Sequence, residues 1–387
     1  MKNRIKLTFV VLGINKEAIS FLLIDRINNL IDKGGYEISV VSEHNNDALV
    51  KSFRKEVKLY PLNVSQYYKE KRLPVLGYFS LKNKIRQIYQ QTIDEIQPDL
   101  ITVINLEGFY LELIPCIKTK AKKIIEFHLS YFTNKAEVIN RPENSLKRLH
   151  PVKLLKIKKE NLHNRYDIAT VLTKEDLKDR EYLKIPVHQI YNPVNYPEDV
   201  SLFSKREKII IAVGRLVAVK NFIDLIHAIG SIKEKINGWQ VHIYGRGEQK
   251  EYLENEITKN NLSEIIFLKG FSDDMPGAFN SARLMVSTSV HEGFGMAILE
   301  ALCYKVPVVA YDCKCGPKEI VKDGVNGYLI DFSVEQLAEK ILELTSNSEK
   351  PESFSSHCHD EIERFDFEKI MNQWNEFYRS IVQSQKN

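Results

Sequence analysis

The sequence predicts two α/β domains, each built on a doubly wound parallel sheet. Short apolar runs alternate with longer segments of helical period along its 387 residues, a length that can bury two cores of ordinary size. Several runs are continuous and rich in β-branched residues, without the alternation of a half-exposed sheet. That pattern is typical of parallel strands covered by helices on both faces, and its presence in both halves favours two domains of one class.

The expected elements alternate from one end of the chain to the other. Strands are predicted at residues 5–12, 37–41, 100–104, 123–127, 168–172, 209–213, 240–243, 265–268, 284–287, 308–310 and 327–330. Helices are predicted between them at residues 17–33, 85–97, 222–235, 250–260 and 296–304. An aromatic-rich amphipathic helix is expected at 365–382, and its apolar face needs a packing partner.

A turn-forming segment divides the chain. Pro193 and Pro197 stand among polar turn residues, and a charged stretch follows up to Lys208. We expect a first Rossmann-like domain over residues 1–186, a linker over 187–205 and a second Rossmann-like domain over 206–350. Residues 351–387 are expected to form C-terminal helices that cross back to the first domain, and docking on the second domain is the plainer alternative.

Composition narrows the class of protein. The net charge of +4 is too mild to predict a nucleic-acid partner, and no apolar run approaches the roughly 18–20 residues of a spanning helix. Five cysteines favour reduced thiols in a cytoplasmic protein, because an odd and sparse set does not form a disulfide framework. The basic, apolar start is expected to be a buried strand and not a secretion signal, since no small-residue cleavage site follows it.

The fold itself predicts a kind of ligand. Two doubly wound domains facing each other place strand C-termini and helix N-termini on both sides of one cleft, where ligands of this architecture bind. Helix N-termini favour anions. We therefore expect a phosphorylated ligand.

The first candidate segment, GRLVAVKN, directly follows the predicted strand 209–213. Gly214 opens the turn, Arg215 offers a bidentate fork and Lys220 offers a mobile point charge, which are complementary ways to hold a diphosphate. A solvated basic loop is the plainer alternative. The position at a strand end favours the phosphate site.

The second candidate segment, HEGFGMAILE, opens a predicted helix. Gly293 and Gly295 bracket Phe294 just before Met296, so the backbone N–H groups are bare and a ligand can approach them closely.

Two carboxylates belong to the same segment. Glu292 precedes the helix and Glu300 lies within it, roughly 12 Å further along the axis. This spacing exceeds that of hydrolytic carboxylate pairs, so the two groups suit two parts of one elongated ligand. A helix-dipole contact for the first and a solvated position for the second are the plainer alternative.

The third candidate segment, YGRGE, follows the predicted strand 240–243. It lacks the third glycine of a G-x-G-x-x-G phosphate loop, so a tight strand-to-helix turn is the default interpretation. Backbone contact of Gly245 and Arg246 with a base is the functional alternative.

Taken in order, GRLVAVKN, IYGRGE, FLKGFSDD, HEGFGMAILEAL, PVVAYD and GVNGYLI resemble family 4 of the retaining GT-B glycosyltransferases. The resemblance covers nearly all of residues 191–335, and the E-x7-E element from Glu292 to Glu300 is its most specific part. The first half is similar only in outline, and its best match is Glu126-Phe127-His128.

The resemblance implies a role for each matched residue. Arg215 and Lys220 would hold the donor diphosphate and stabilise the leaving group. Glu292 and the amides of residues 293–296 would hold the transferred sugar, and Glu300 would bind the ribose hydroxyls. His128 would lie near the sugar and the acceptor, although an isolated histidine at a strand end is more often structural.

The chain departs from the family at its first glycine-rich loop. The usual glycine pair is reduced to Gly13, so a phosphate contact from that loop is in doubt. There is no D-x-D motif in the sequence, and we expect neither a metal nor a cofactor besides the nucleotide-sugar co-substrate. Cysteines and histidines at 313, 315 and 357–359 are poorly spaced for zinc.

The expected activity is retaining transfer of a hexose or N-acetylhexosamine from a nucleoside-diphosphate sugar, with UDP as the expected nucleotide. The acceptor is expected to be a glycan or lipid-linked saccharide in surface polysaccharide synthesis, because CGPKEI from Cys315 resembles members that build such polymers. A sugar-nucleotide 2-epimerase and a non-catalytic partner subunit of the same fold are the alternatives.

A basic segment from Lys147 to Arg165 carries interleaved apolar residues. A solvated helix, or two helices broken at Pro151, explains this pattern most simply. The functional alternative is peripheral contact with anionic lipid on the cytoplasmic face of the membrane.

Overall fold

The computed structural model describes residues 4–15, 18–62, 64, 75–104, 109–130, 162–347 and 349–385. They form two compact units. The first takes the described residues up to Leu129, those from 162 to Tyr191 and those from Glu368 onward, and the second takes Ser130 and Asn192–Phe367.

The first unit is a seven-stranded parallel sheet with the order β3-β2-β1-β4-β5-β6-β7. Its strands are β1 (Ile5–Ile14), β2 (Tyr36–Asn45), β3 (Lys58–Pro61), β4 (Leu100–Ile104), β5 (Lys122–Phe127), β6 (Ile168–Val171) and β7 (Val187–Gln189). Its described helices up to Tyr191 are α1 (Ala18–Lys33), α2 (Asp47–Val50), α3 (Val75–Ile96), α4 (Phe109–Leu113) and α5 (Lys174–Asp179), with a 3₁₀ turn at Ile114–Cys116.

The second unit is a six-stranded parallel sheet with the order β10-β9-β8-β11-β12-β13. Its strands are β8 (Ile209–Val213), β9 (Gln240–Tyr244), β10 (Ile266–Gly270), β11 (Leu284–Ser287), β12 (Val308–Tyr311) and β13 (Gly327–Ile330). Its helices are α6 (Phe222–Ile232), α7 (Lys250–Lys259), α8 (Met275–Ser281), α9 (Met296–Cys303), α10 (Pro317–Ile320), α11 (Val334–Ser346) and α12 (Glu349–His357), with 3₁₀ turns at Phe203–Lys205, Ala218–Lys220, Lys233–Lys235 and Glu363–Phe365.

The central strands are apolar on both faces because helices cover both sides of each sheet. Leu7 pairs with Ile38 of β2 and with Leu100 of β4, and all three side chains are fully buried. In the second unit Ile210 is likewise buried between β9 and β11. This explains the continuous apolar runs, since a strand without a solvent face needs no polar alternation.

Strand order reverses once in each sheet. The reversal falls between β1 and β4 in the first unit and between β8 and β11 in the second. The loops that leave β1 and β8 therefore lie at the two switch points, which is where doubly wound sheets bind ligands.

The C-terminal helix α13 (Phe367–Ser384) packs in the first unit from Glu368 onward. Its buried side chains recur at intervals of three and four residues, so they form one apolar stripe: Ile370, Met371, Trp374, Phe377, Tyr378, Ile381 and Val382. Tyr378 packs edge-on against Phe9 of β1, with ring centroids 6.4 Å apart, and the Tyr36 hydroxyl donates to Asn375 Oδ1 at 2.8 Å.

Several elements of the structure differ from the sequence-based expectation. The edge strands β3 and β7 were not predicted, and β7 occupies residues 187–189 of the expected linker. Strand β1 continues to Ile14, so Gly13 lies within the strand, opposite His44 of β2, and not in the loop that follows. Helix α3 begins at Val75, ten residues before the predicted start.

Candidate functional site

In the second unit, the loops that leave β8 and β9 are hydrogen-bonded to each other. Gly214 N donates to Tyr244 O at 3.0 Å, and Leu216 N donates to Arg246 O at 2.9 Å. The glycines of the third segment make this contact possible. A Cβ on Gly245, whose φ is +148°, would lie 1.8 Å from Gly214 O, so no side chain fits there.

Lys220 and Glu292 form an ion pair at the switch point of this sheet. Lys220 Nζ donates to Glu292 Oε1 at 2.6 Å, and the two side chains are 20% and 13% exposed. The lysine stem lies over Gly214, where a Cβ would come within 3.1 Å of its Cδ and Cε. Thr288 Oγ1 donates to Lys220 O at 2.9 Å, and Val290 N donates to Val219 O at 2.9 Å. The structure thus joins two of the predicted site residues from segments about seventy residues apart.

Helix α9 begins at Met296 directly after Gly295, which adopts a left-handed conformation with φ of +96°. No described side chain caps this helix end. The partial positive charge of the helix N-terminus therefore lies beside Gly293 and Glu292, which suits oxygen atoms of a ligand.

Phe294 is buried and contributes differently from its neighbours. Its ring packs edge-on against Phe365 with centroids 5.5 Å apart, so only its backbone is available to a ligand. A Cβ on Gly316 would lie 2.1 Å from the Phe294 carbonyl oxygen. The CGPKEI segment thus packs closely behind the glycine turn.

Glu300 lies in the second turn of α9 and is partly exposed. Burial raises the pKa of its carboxyl to about 7. Its carboxylate forms no hydrogen bond with another described residue. A partly buried carboxyl group without a protein partner is able to accept hydroxyl groups from a ligand.

Arg215 and Arg246 are exposed cations on the two joined loops. The guanidinium of Arg246 lies 5.3 Å from the centroid of the Phe271 ring. Arg215 forms no ion pair within the part of the chain that the structure describes. Arg215 can therefore reach an anionic ligand without breaking an ion pair, whereas Arg246 would move from its contact with the Phe271 ring.

In the first unit, Gly13 lies beside a cavity of about 270 Å³ at the carboxyl end of β1. A Cβ on Gly13 would lie 2.9 Å from the His44 carbonyl oxygen, so the two strands approach closely here. Asn15, Ser20 and His44 provide polar groups, and apolar residues of β1, α1 and β4 line the remainder. Gly13 therefore has a packing role in the sheet.

His128 directly follows β5 and is held by Glu126, a residue for which the sequence predicts no role. Its Nε2 lies 3.0 Å from Oε2 of Glu126, and that same oxygen accepts from Arg26 Nη2 at 2.9 Å. The Tyr378 hydroxyl lies 3.5 Å from Glu126 Oε1. A charged residue inside the buried run KKIIEF, and an arginine on the apolar face of α1, were the available signals.

Burial opposes the charged form of Glu126, but Arg26 and the His128 ring outweigh that effect, so the pKa of the Glu126 carboxyl is lowered. Burial likewise opposes the charged form of Arg26, yet the carboxylate of Glu126 raises the pKa of the guanidinium. The pair is therefore ionic inside the core of the first unit.

All five cysteines have free thiols, and burial raises the pKa of Cys303, Cys313 and Cys358. No three His, Cys, Asp or Glu side chains among the described residues are grouped as a metal site would require.

Among the described residues, no helix combines the length and the apolar character needed to cross a lipid bilayer. The predicted basic segment lies outside the described residues, apart from 162–165.

Comparison with known proteins identifies the second unit. Residues 198–358 match the family model "Glycosyl transferases group 1". The poly(ribitol-phosphate) alpha-N-acetylglucosaminyltransferase of Staphylococcus aureus (strain COL) is 35% identical over 176 residues, which are 45% of this chain, and the chain spans about a third (36%) of that relative's length. The amylovoran biosynthesis glycosyltransferase AmsD of Erwinia amylovora is 26% identical over 92% of this chain and 98% of its own length.

Solved structures agree on the fold. Anabaena Alr3699/HepE, crystallised in complex with UDP and glucose, aligns with a TM-score of 0.74 at 20% identity, over 97% of this chain and all of its own. Its two-domain GT-B architecture matches the pair of parallel α/β sheets described above. The chain thus has the GT-B fold and carries a glycosyltransferase group 1 domain, with relatives among bacterial cell-wall and exopolysaccharide glycosyltransferases.

Proposed function

We propose that this protein is a retaining glycosyltransferase that uses a UDP-sugar donor. It transfers a hexose or N-acetylhexosamine to a glycan or lipid-linked saccharide during surface polysaccharide synthesis. The observation that carries the proposal is the Lys220–Glu292 pair, because it places a cation and a carboxylate together at the switch point of the group 1 domain.

The pair suits the two halves of a nucleotide sugar. The diphosphate carries the larger negative charge, so it competes with Glu292 for Lys220. Once Lys220 turns to the phosphates, the Glu292 carboxylate is free to accept sugar hydroxyl groups. Binding of the donor is thus an exchange of partners, in which Lys220 gains the phosphates and Glu292 gains hydroxyl hydrogen bonds.

Departure of the diphosphate is the difficult step of the reaction, since negative charge builds up on its oxygens. Lys220, the exposed Arg215 and the uncapped start of α9 supply positive charge at that point. Arg215 adds a planar fork suited to two phosphate oxygens. These groups do the work that a divalent cation does elsewhere, and Glu300 accepts the ribose hydroxyls.

The relatives support the chemistry. One is named for an alpha-N-acetylglucosaminyl product and one for the biosynthesis of amylovoran, and a structural neighbour binds UDP and glucose. An alpha product from an α-linked nucleotide sugar means retention, so the acceptor hydroxyl attacks the face from which the diphosphate leaves. His128 then acts at the reaction centre, toward the sugar or the acceptor.

A thermal-shift screen tests the donor assignment. UDP-GlcNAc, UDP-glucose, UDP-galactose, GDP-mannose and ADP-glucose are compared at equal concentration. A ligand at 100 times its Kd adds about 2.7 kcal/mol of stability, which is easily measured. We expect the UDP-sugars to stabilise the protein and the others not to. Stabilisation by GDP- or ADP-sugars alone contradicts the UDP assignment.

Incubation with the stabilising donor separates transferase from epimerase. A transferase releases UDP, slowly to water and faster when an acceptor saccharide is added. A sugar-nucleotide 2-epimerase converts UDP-GlcNAc to its 2-epimer without net release of UDP, and NMR of the donor pool distinguishes the two outcomes.

Peripheral contact of the basic segment with anionic lipid belongs to the same proposal, since a lipid-linked acceptor lies at a membrane surface. Co-sedimentation with vesicles that contain phosphatidylglycerol tests it, with neutral phosphatidylcholine vesicles as the control. Equal binding to both contradicts an electrostatic contact.

A further inference from the structure

Two buried arginines hold the end of strand β5, one on each face of the sheet. Neighbouring strand residues point to opposite faces, and Glu126 and Phe127 do so here. Arg26 of α1 binds the Glu126 carboxylate on one face. Arg180 of α5 lies 3.6 Å from the centroid of the Phe127 ring on the other, and its Nη2 donates to Leu129 O at 2.9 Å.

The face that carries Glu126 is enclosed by aromatic rings. The Arg26 guanidinium lies 4.1 Å from the centroid of the Trp374 ring and 5.3 Å from that of Phe9. The side chains of Arg26 and Glu126 are 5% and 1% exposed, and Tyr378 is fully buried. Buried charges with fixed partners have few alternative positions, so the carboxylate of Glu126 is rigidly oriented.

We propose that Glu126 is a positioning residue, which fixes the ring of His128 with its proton on Nε2 and its Nδ1 free to accept a hydrogen bond. Oε2 of Glu126 is an acceptor only, and it already accepts from Arg26. The 3.0 Å contact with His128 Nε2 is therefore an N–H donation from the ring.

This inference rests on the proposed function, since it gives His128 a defined task in the transfer. A neutral ring protonated on Nε2 presents a lone pair at Nδ1. This lone pair can accept a hydrogen bond from a hydroxyl group. His128 thereby recognises a hydroxyl of the transferred sugar or of the acceptor, and it does not donate to a phosphate oxygen.

The C-terminal helix has a part in this arrangement. Trp374 and Tyr378 both come from α13 and complete the enclosure of Arg26 and Glu126. A segment about 250 residues away along the chain thus sets the position of a reaction-centre side chain.

Long-range ¹H–¹⁵N NMR of the histidine rings tests the proposal without donor or acceptor. The spectrum is recorded at pH 8 on protein labelled with ¹⁵N-histidine, and the His128 signals are assigned by their loss in His128→Asn. We expect a protonated Nε2 and an unprotonated Nδ1 in the unmodified protein. Protonation on Nδ1 overturns the proposal, and the measurement itself is made on the unmodified protein.

Glu126→Gln and Asp176→Asn form a matched pair of variants. Each removes the carboxylate partner of a buried arginine at the same strand end, since Asp176 Oδ2 accepts from Arg180 Nε at 2.8 Å. Asp176→Asn leaves the contact between His128 and Glu126 in place. We expect loss of the Nε2–H preference in Glu126→Gln alone.

Steady-state kinetics with the donor from the thermal-shift screen completes the test. Glu126→Gln should lower kcat by about 10–100-fold, the scale found for orienting partners of metal-bound histidines, with an unchanged donor Kd. An equal loss of kcat in Asp176→Asn means a structural role and overturns the proposal. If the unmodified protein has the expected His128 tautomer but releases no UDP, the proposed function fails while the positioning of the ring stands.

Discussion

The two units hold their charged residues in contrasting ways. In the second unit the Lys220–Glu292 pair lies on loops, and its side chains are 20% and 13% exposed. In the first unit the Arg26–Glu126 pair lies in the core, and its side chains are 5% and 1% exposed. The first arrangement permits exchange with a ligand, because water and ligand groups can replace the protein partner. The second does not, since separating the pair would leave each charge without a partner in an apolar environment.

The two units therefore have different roles. The loops of the second unit provide exchangeable cations and carboxylates for the donor. The core of the first unit provides a fixed scaffold for a single histidine. Function and rigidity are thus divided between the two sheets, and substitutions on either side should have different consequences for stability and for turnover.

The largest expected effect is on stability. Glu126→Gln leaves the buried Arg26 charge without its ionic partner and should lower the free energy of unfolding by about 3–5 kcal/mol. Glu292→Gln removes the partner of a partly exposed lysine and should cost about 1 kcal/mol or less. Urea unfolding followed by circular dichroism measures both. Equal losses in the two variants contradict the distinction between a fixed and an exchangeable pair.

For the cations of the second unit, substitution should lower turnover strongly and change stability little. Lys220→Ala or Arg215→Ala removes a cation that stabilises the leaving diphosphate and should lower kcat by about 10²–10³-fold, with little change in stability. Lys322→Ala is the matched control, because Lys322 forms an exposed 2.8 Å ion pair with Glu361 in the same unit. Near-normal turnover in both site variants refutes their assignment, and a comparable loss in the control points to a nonspecific effect.

A third prediction concerns the joined loops of the second unit. Gly245→Ala combines a strained positive φ with a clash against Gly214 O, and it should destabilise the protein by about 2 kcal/mol and weaken donor binding. Gly324→Ala has a positive φ of +73° but open space around it, so it should cost about 1 kcal/mol and leave donor binding unchanged. Thermal unfolding and calorimetry compare them, and an identical outcome shows that the close approach of the loops is unimportant.

The smallest expected effect is the pH dependence of donor binding. The pKa of Glu300 is raised by burial to about 7, so the group is ionised above that pH and neutral below it. Donor affinity should therefore fall as pH falls from 8 to 6, by up to about tenfold, because the ionised carboxylate is the better hydroxyl acceptor. Glu300→Ala should weaken donor binding and abolish this dependence. Calorimetry at both pH values checks it, and an unaltered donor Kd in the variant excludes the ribose role.

The raised pKa of Glu300 also makes the free energy of unfolding depend on pH. A carboxyl whose folded pKa is raised destabilises the folded state progressively as pH rises from its unfolded value toward about 7. The free energy of unfolding of Glu300→Gln, relative to that of the unmodified protein, should therefore be higher at pH 8 than at pH 5. This follows from burial alone and does not depend on the donor.

Most of the fold was predictable because its strands are apolar on both faces. Strands such as β4 and β8 were predicted at their observed bounds, since five-residue apolar runs rich in β-branched residues favour a buried strand over a helix. The edge strands β3 and β7 were missed. KLYP and VHQ are short and partly polar, and edge strands form through pairing with a neighbour that sequence periodicity does not reveal.

The candidate site was predictable in one unit and only in part in the other. Lys220 and Glu292 belong to local motifs beside strand ends, so their segments could be recognised even though their contact could not. Glu126 depends on Arg26 and Tyr378, which are 100 and 252 residues away. Pairing over such separations is set by packing of the whole unit and leaves no local pattern in the sequence.

Calorimetry with UDP and with uridine measures what the diphosphate contributes to donor binding, because the two ligands differ only in the diphosphate. We expect the unmodified protein to bind UDP far more tightly than uridine. The double variant Arg215→Ala/Lys220→Ala should lose about 100-fold or more of its UDP affinity and keep its uridine affinity, as expected for two charge-assisted contacts. Undiminished UDP binding in the double variant would contradict the claim that these two cations hold the diphosphate.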